Sequence, residues 1–144
     1  MSSFLKNLLF LLGVTALFAV AGHPIGATTF SLLGGAGAWL TDQPPGTAGM
    51  IFYGGLLALG FSWLVGGLQA ALTGAAVALG ALWLGRVSVA LAMATSAGLA
   101  FAWAEDLGPL FSALMVAVHV VPAIACTLIA HSIWGRQAGR SPPS

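Results

Sequence analysis

Long apolar runs separated by a few short polar breaks make up this chain. A helix crosses the hydrocarbon core of a bilayer with roughly 20 mostly apolar residues. On that measure the pattern predicts four spans, at about residues 4–22, 48–68, 87–104 and 110–134. Thr41-Asp42-Gln43-Pro44-Pro45-Gly46 reads as a loop. His23-Pro24-Ile25-Gly26 reads as a helix break, because proline has no N–H to donate and the residue before it avoids the α region. Ala27 to Leu40 is apolar but short for a crossing, which predicts a re-entrant or interfacial piece after the first span. The stretch from Gln69 to Gly85 is read as helix extensions, an interfacial piece or an extra short span. Residues 135–144 are polar and predict a disordered tail.

Composition decides what kind of molecule these runs belong to. The chain is 59% hydrophobic and 5% charged, whereas an ordinary soluble domain is about 25% charged. So few charges cannot clothe a soluble fold. The expected class is an all-α, polytopic membrane protein with four transmembrane helices packed as a bundle. Membrane barrels need alternating segments of about 10 residues, and the apolar runs here are continuous.

Charge placement orients the spans. Lys and Arg concentrate in cytoplasmic segments, and Trp collects at both interfaces. With four spans, Lys6, Arg86, Arg136 and Arg140 share one side, and Asp42, Glu105 and Asp106 the other. Both termini are then cytoplasmic. Trp39 and Trp103 flank the acidic side, and Trp83 and Trp134 the basic side. Together with Arg86 and Arg136, these are the expected interface anchors. The N-terminus is also readable as a cleavable signal peptide ending at Ala19-Val20-Ala21, which leaves three spans in the same orientation.

Chemistry-bearing residues are scarce. His119 stands well inside the last span, where an ionisable group is a functional candidate by default. Ser112, His119 and Cys126 fall along one face of that helix, an expected intramembrane polar site. The alternative is a neutral imidazole bonded to a carbonyl such as that of Val118, freed by Pro122. Seven residues of helix put Cys126 about 10 Å from His119, too far for a nucleophile pair. Haem is a further candidate cofactor, and only His23 with His119, through a deeply inserted loop, is a feasible axial pair. Polar wall material is scarce: Thr15, Ser62, Gln69, Thr73, Ser88, Thr95, Ser96, Ser112 and Thr127 are nearly all of it. No phosphate loop, catalytic motif or metal-ligand spacing is present, and no basic run offers a footprint for nucleic acid.

Small residues recur every fourth position, at Gly54, Ala58, Ser62, Gly66, Ala70, Gly74 and Ala78 and again at Ala90, Ala94, Gly98 and Ala102. Small-xxx-small rows let helix backbones approach, so these are the expected packing positions.

The C-terminal third carries Arg86-Val87, an Ala-rich span, an acidic turn, then Ala113-Leu114-Met115, His119 and Val120-Val121-Pro122-Ala123. This resembles a family of uncharacterised small four-span bacterial membrane proteins, a domain of unknown function. The resemblance implies four spans and a bacterial inner membrane, and no activity. The expected function is a non-catalytic accessory or structural subunit of a membrane complex, with the bilayer and other membrane subunits or itself as partners. The alternatives are a homo-oligomeric small-solute or proton-coupled transporter, and a haem-binding membrane anchor.

Overall fold

The computed structural model describes residues 2–41, 43–60, 62–104 and 109–138. Asp42, Glu105, Asp106, Arg140 and the tail from residue 139 lie outside the described residues, as do the side chains of Ala58, Ser62, Trp103 and Arg136. Among the described residues every regular element is helical. Helix α1 is Ser3–Leu40, α2 is Thr47–Leu57, α3 is Ser62–Leu84, α4 is Val89–Ala104 and α5 is Pro109–Ala138. Three apolar stretches are long enough to cross a membrane: Ser3–Leu40, Gly66–Leu84 and Ser112–Gly135. Their outward faces carry exposed Leu5, Leu9, Leu12, Leu72, Leu79, Leu128 and Ile133, the surface expected of helices solvated by lipid.

α1 departs most from the expected pattern. It starts at Ser2, whose hydroxyl accepts from the Leu5 N–H at 3.3 Å and so satisfies one orphan donor. It then runs for 38 residues without a break. The expected break at His23-Pro24 is absent, and Ala27–Leu40 is the second half of the same helix rather than a re-entrant piece. The physical reason is a π-turn at Phe18–Gly22, immediately before the proline. Its wider i→i+5 winding takes up the hydrogen bond that Pro24 cannot donate. Past the proline, Thr28, Thr29 and Ser31 bond the carbonyls of Pro24, Ile25 and Ala27 at 2.7–2.9 Å, so no hydroxyl is left over.

The span expected at 48–68 is also divided. α2 ends in a 3-10 turn at Ala58–Gly60, and α3 begins at Ser62. Gly54, Gly55, Gly60, Gly66 and Gly67 surround the division, and glycine costs about 1 kcal/mol of helix propensity relative to alanine. Apolarity predicts a continuous run there and does not register that weakness. Gln69 to Leu84 belong to α3, which closes with Gly85 at φ 68°, a left-handed cap that only glycine adopts easily. Arg86 is exposed in the adjoining turn. α4 and α5 fall close to the expected 87–104 and 110–134, with Pro122 inside α5 and residues 135–138 still helical.

α5 runs antiparallel to α1. Along α1, Gly13 faces Trp134, Gly22 faces Cys126, Gly26 faces Val118 and Pro122, and Gly34 faces Leu114. The succession of α2 and α3 is antiparallel to α1 as well: Gly35 meets Ala48 and Phe52, Ser31 meets Gly55, Gly22 meets Ala70, and Phe18 meets Gly74. Val14, Phe18, Val77, Ala123, Cys126 and Ala130 make the fully buried core where α1, α3 and α5 meet. Trp134 packs beside it, edge-on to Phe10 with ring centroids 6.1 Å apart. Trp39 and Trp83 are largely exposed near helix ends.

The small-residue rows divide by side. On α3, Gly74 and Ala78 are buried. On α4 the row Ala90, Ala94, Gly98 and Ala102 is exposed, while Ala92, Ser96 and Ala100 are buried. A step of four residues describes both rows equally, and only the rotation of the helix selects one.

The closest approach sets the first expectation. A Cβ on Gly74 would lie 2.7 Å from Phe18 Cβ and 3.1 Å from Thr15 Cα, whereas nothing lies within 4 Å of one on Gly98. Gly74→Ala therefore lowers the melting temperature of the purified protein, by an overpacking cost of about 1–3 kcal/mol. Gly98→Ala leaves it equal or higher, since alanine is the better helix former.

Candidate functional site

At mid-length of α1 and α5 the helices enclose a partly open cavity of about 530 Å³, with walls from every helix. Glycines make the room. Gly22 and Gly26 of α1, Gly54 and Gly55 of α2 and Gly66 of α3 line it with backbone where side chains would otherwise project. Phe18, Phe30, Met115, Val118 and Pro122 supply the apolar remainder.

Five polar side chains line the same space: His23, Gln69, Thr73, Ser96 and His119. Asp, Glu, Lys and Arg are absent from its described lining. The π-turn places the first of these. Inserting a residue into a helical turn rotates the remainder of the helix by about 100°, and His23 stands directly after it, only 6% exposed and facing inward. Gln69 and Thr73, one turn apart on α3, share a face, and the Thr73 hydroxyl donates to the Gln69 carbonyl at 3.0 Å. Ser96 donates to the Met93 carbonyl at 3.1 Å. Both hydroxyl oxygens keep lone pairs to offer a ligand.

His119 is held by its own helix. Its Nδ1 lies 2.6 Å from the Met115 carbonyl oxygen, one turn back. A carbonyl can only accept, so Nδ1 carries the proton, and in the neutral ring Nε2 is a bare acceptor. The carbonyl of Val118, freed by Pro122, has a different neighbour: a Cβ on Gly26 would sit 3.2 Å from it. The glycine lets α1 close over that carbonyl. Gln69 is the complement of His119. Its Nε2 is buried with no hydrogen-bond partner among the described residues.

The expected stripe of Ser112, His119 and Cys126 is thus divided. His119 lines the cavity together with Met115, Val118, Pro122 and Ala123, while Ser112 and Cys126 are not part of the lining. Cys126 is fully buried against Gly22 in the core. Of the expected packing residues, Gly54 and Gly66 line the cavity.

Metal and cofactor capacity is set by the ligand count. Among the described residues no three His, Cys, Asp or Glu side chains come together, as a tetrahedral metal site requires. Two imidazoles in the cavity lining meet the axial-ligand count of a bis-histidine haem. They come from His23 and His119, and His23 is presented by a continuous helix rather than an inserted loop.

No family model, curated protein or solved structure matches this chain.

The packing around Cys126 carries a direct expectation. With the thiol fully buried, a maleimide leaves the folded protein unlabelled over a time that suffices for complete labelling after denaturation in sodium dodecyl sulfate. Labelling of the native protein at the denatured rate would show that Cys126 is open.

Proposed function

We propose that this chain is an integral membrane protein that binds a small neutral molecule inside its helix bundle and acts as a carrier without catalysis. The observation that supports this most is the cavity, with five polar side chains converging on an otherwise apolar space. Pockets that hold small molecules have this make-up: about 300–1,000 Å³, mostly apolar, with a few placed polar groups. A lining free of charged side chains argues against an ion or a phosphorylated solute as cargo.

Four crossings fit the fold best in this reading. They are α1, then α2 with α3 as one interrupted crossing, then α4, then α5. α4 has 16 residues, about 24 Å at 1.5 Å per residue, a little short of a hydrocarbon core of about 30 Å. α1, 38 residues and about 57 Å long, exceeds the core even at a tilt of about 40°, so its ends extend into the interfacial regions. Lys6, Arg86, Arg136 and Arg140 then share the cytoplasmic face of a bacterial inner membrane.

A second reading is the accessory subunit. It is favoured by the row Ala90, Ala94, Gly98 and Ala102, which is exposed on α4 and shaped to receive another helix.

Two measurements test these readings. In a Cys126→Ala background, Lys6→Cys and Arg86→Cys are blocked by an impermeant maleimide only when it reaches the cytoplasmic face, and Thr41→Cys only from the opposite face. Labelling of Arg86→Cys and Thr41→Cys from one side overturns four crossings. The absorption spectrum of the purified protein separates carrier from haem anchor. The carrier is colourless, and a Soret band lost in both His23→Ala and His119→Ala establishes the anchor.

A further inference from the structure

The cavity is walled unevenly. Toward the α1 N-terminus the buried core shuts it, where Val14 and Phe18 of α1, Val77 of α3, Ala92 of α4 and Cys126 of α5 interlock. Toward the other end the packing is open. α5 has no buried residue from Ser112 to Val120, and the one buried residue of α2 is Gly55. Among the described residues α2 packs on α1 and, through the turn that follows it, meets α3, yet none of its Cα atoms lies within 8 Å of one in α4 or α5. Packed helices stand about 8–10 Å apart axis to axis, so α2 and α5 line the same cavity without packing on each other.

α1 forms the back of this gap. Its Ser31 and Gly35 meet α2 and its Gly26 meets α5, while Ala27 and Phe30 are in the cavity lining. At the far end side chains bridge the gap, since Ile51 of α2 and Leu114 of α5 both reach over Gly34. One turn further along α2 the bridging side chains are missing, because Gly54 and Gly55 stand there opposite Met115 and Val118. A window is left. Gly54 is at its rim: it lines the cavity, it is exposed, and a Cβ on it would meet nothing within 4 Å. Met50, Tyr53 and Leu57 share the face of Gly54 and are exposed. The mouth is therefore apolar.

We infer that this window is a lateral portal, and that the ligand is a lipophile dissolved in the bilayer which enters sideways between α2 and α5. This rests on the membrane and binding roles proposed above and names the ligand's class and route. A polar solute would shed its hydration at a rim with no polar side chain to replace it. A lipophile leaves hydrocarbon for a lining nearly as apolar, so entry costs it little.

The test illuminates the full chain in lipid bilayers with a photoreactive lipophile, iodophenyl-trifluoromethyl-diazirine, and locates the carbene adducts by peptide mass spectrometry. Adducts are expected on Phe30 and Met115 in the cavity and on Leu128, which is exposed on the outer face. Excess phenylcyclohexane should remove most of the cavity adducts and spare those on Leu128. Gly54→Leu fills the rim and should lose most of the cavity adducts, whereas Gly37→Leu, where a Cβ also meets open space, should keep them. Labelling of Leu128 without any on Phe30 or Met115 overturns the portal and leaves the binding role standing. Cavity adducts that persist in Gly54→Leu do the same, because entry is then by another route. Cavity adducts that phenylcyclohexane does not displace overturn the binding role and the portal with it.

Discussion

In an apolar medium a helix persists only while each backbone N–H and C=O finds a partner within it, and this fold depends on how that demand is met at two prolines. At Pro24 the solution is a π-turn, which lets α1 continue where a tighter winding would stop. At Pro122 the Val118 carbonyl loses its N–H, and Gly26, having no side chain, lets α1 close over that oxygen. The two devices sit at the same level of the molecule. They bring α1 and α5 together there, turn His23 inward, and leave His119 to bond Met115 instead. The cavity lies between them because the same glycines that permit close approach supply no side chain to fill the space beside it.

Packing elsewhere is governed by shape. Lipid tails are as apolar as leucine, so helices gain little from hiding apolar area against one another and must gain from fit. Gly74 against Phe18 and Thr15, Gly35 against Phe52, and Gly13 against Trp134 are such fits, each setting a small residue against a larger one. The exception is the middle, where a Cβ on Gly54 or Gly66 would meet nothing within 4 Å and a void results. A void edged with imidazoles and an amide loses dispersion contacts and leaves Gln69 Nε2 unpaired. Native chains keep such defects where something uses them.

Helical character, membrane-compatible spans and the position of α5 were legible in the sequence, because apolar run length reports on them directly. The break between α1 and α2 was legible through its proline and glycine signals. The continuity of α1 was not. A rule about proline in α-helices carries no information about a π-turn, and Phe18-Ala19-Val20-Ala21-Gly22 shows no mark of one. Rotation was equally hidden. Of the Ser112–His119–Cys126 stripe only His119 is in the cavity lining, and the exposed row of α4 reads as well as its buried one. Gln69, Thr73 and Ser96 were visible as rare polar residues in apolar runs. Their convergence needs α3 and α4 to be placed against each other, and no spacing along one helix encodes that.

The hydroxyl groups have a consequence for how the protein is made. Thr28, Thr29, Ser31, Thr73 and Thr127 each bond a carbonyl of their own helix one turn earlier. None of these bonds waits for a second helix. Each segment can therefore leave the insertion machinery with those hydroxyls already satisfied and reside in lipid alone until its neighbours arrive. Synthesis order then places no premium on early pairing, and the helices can associate late, by trial of surfaces. Ser96 and His119, which line the cavity beside Thr73, are bonded within their own helices too, so the cavity's polar wall is largely in place before the helices meet.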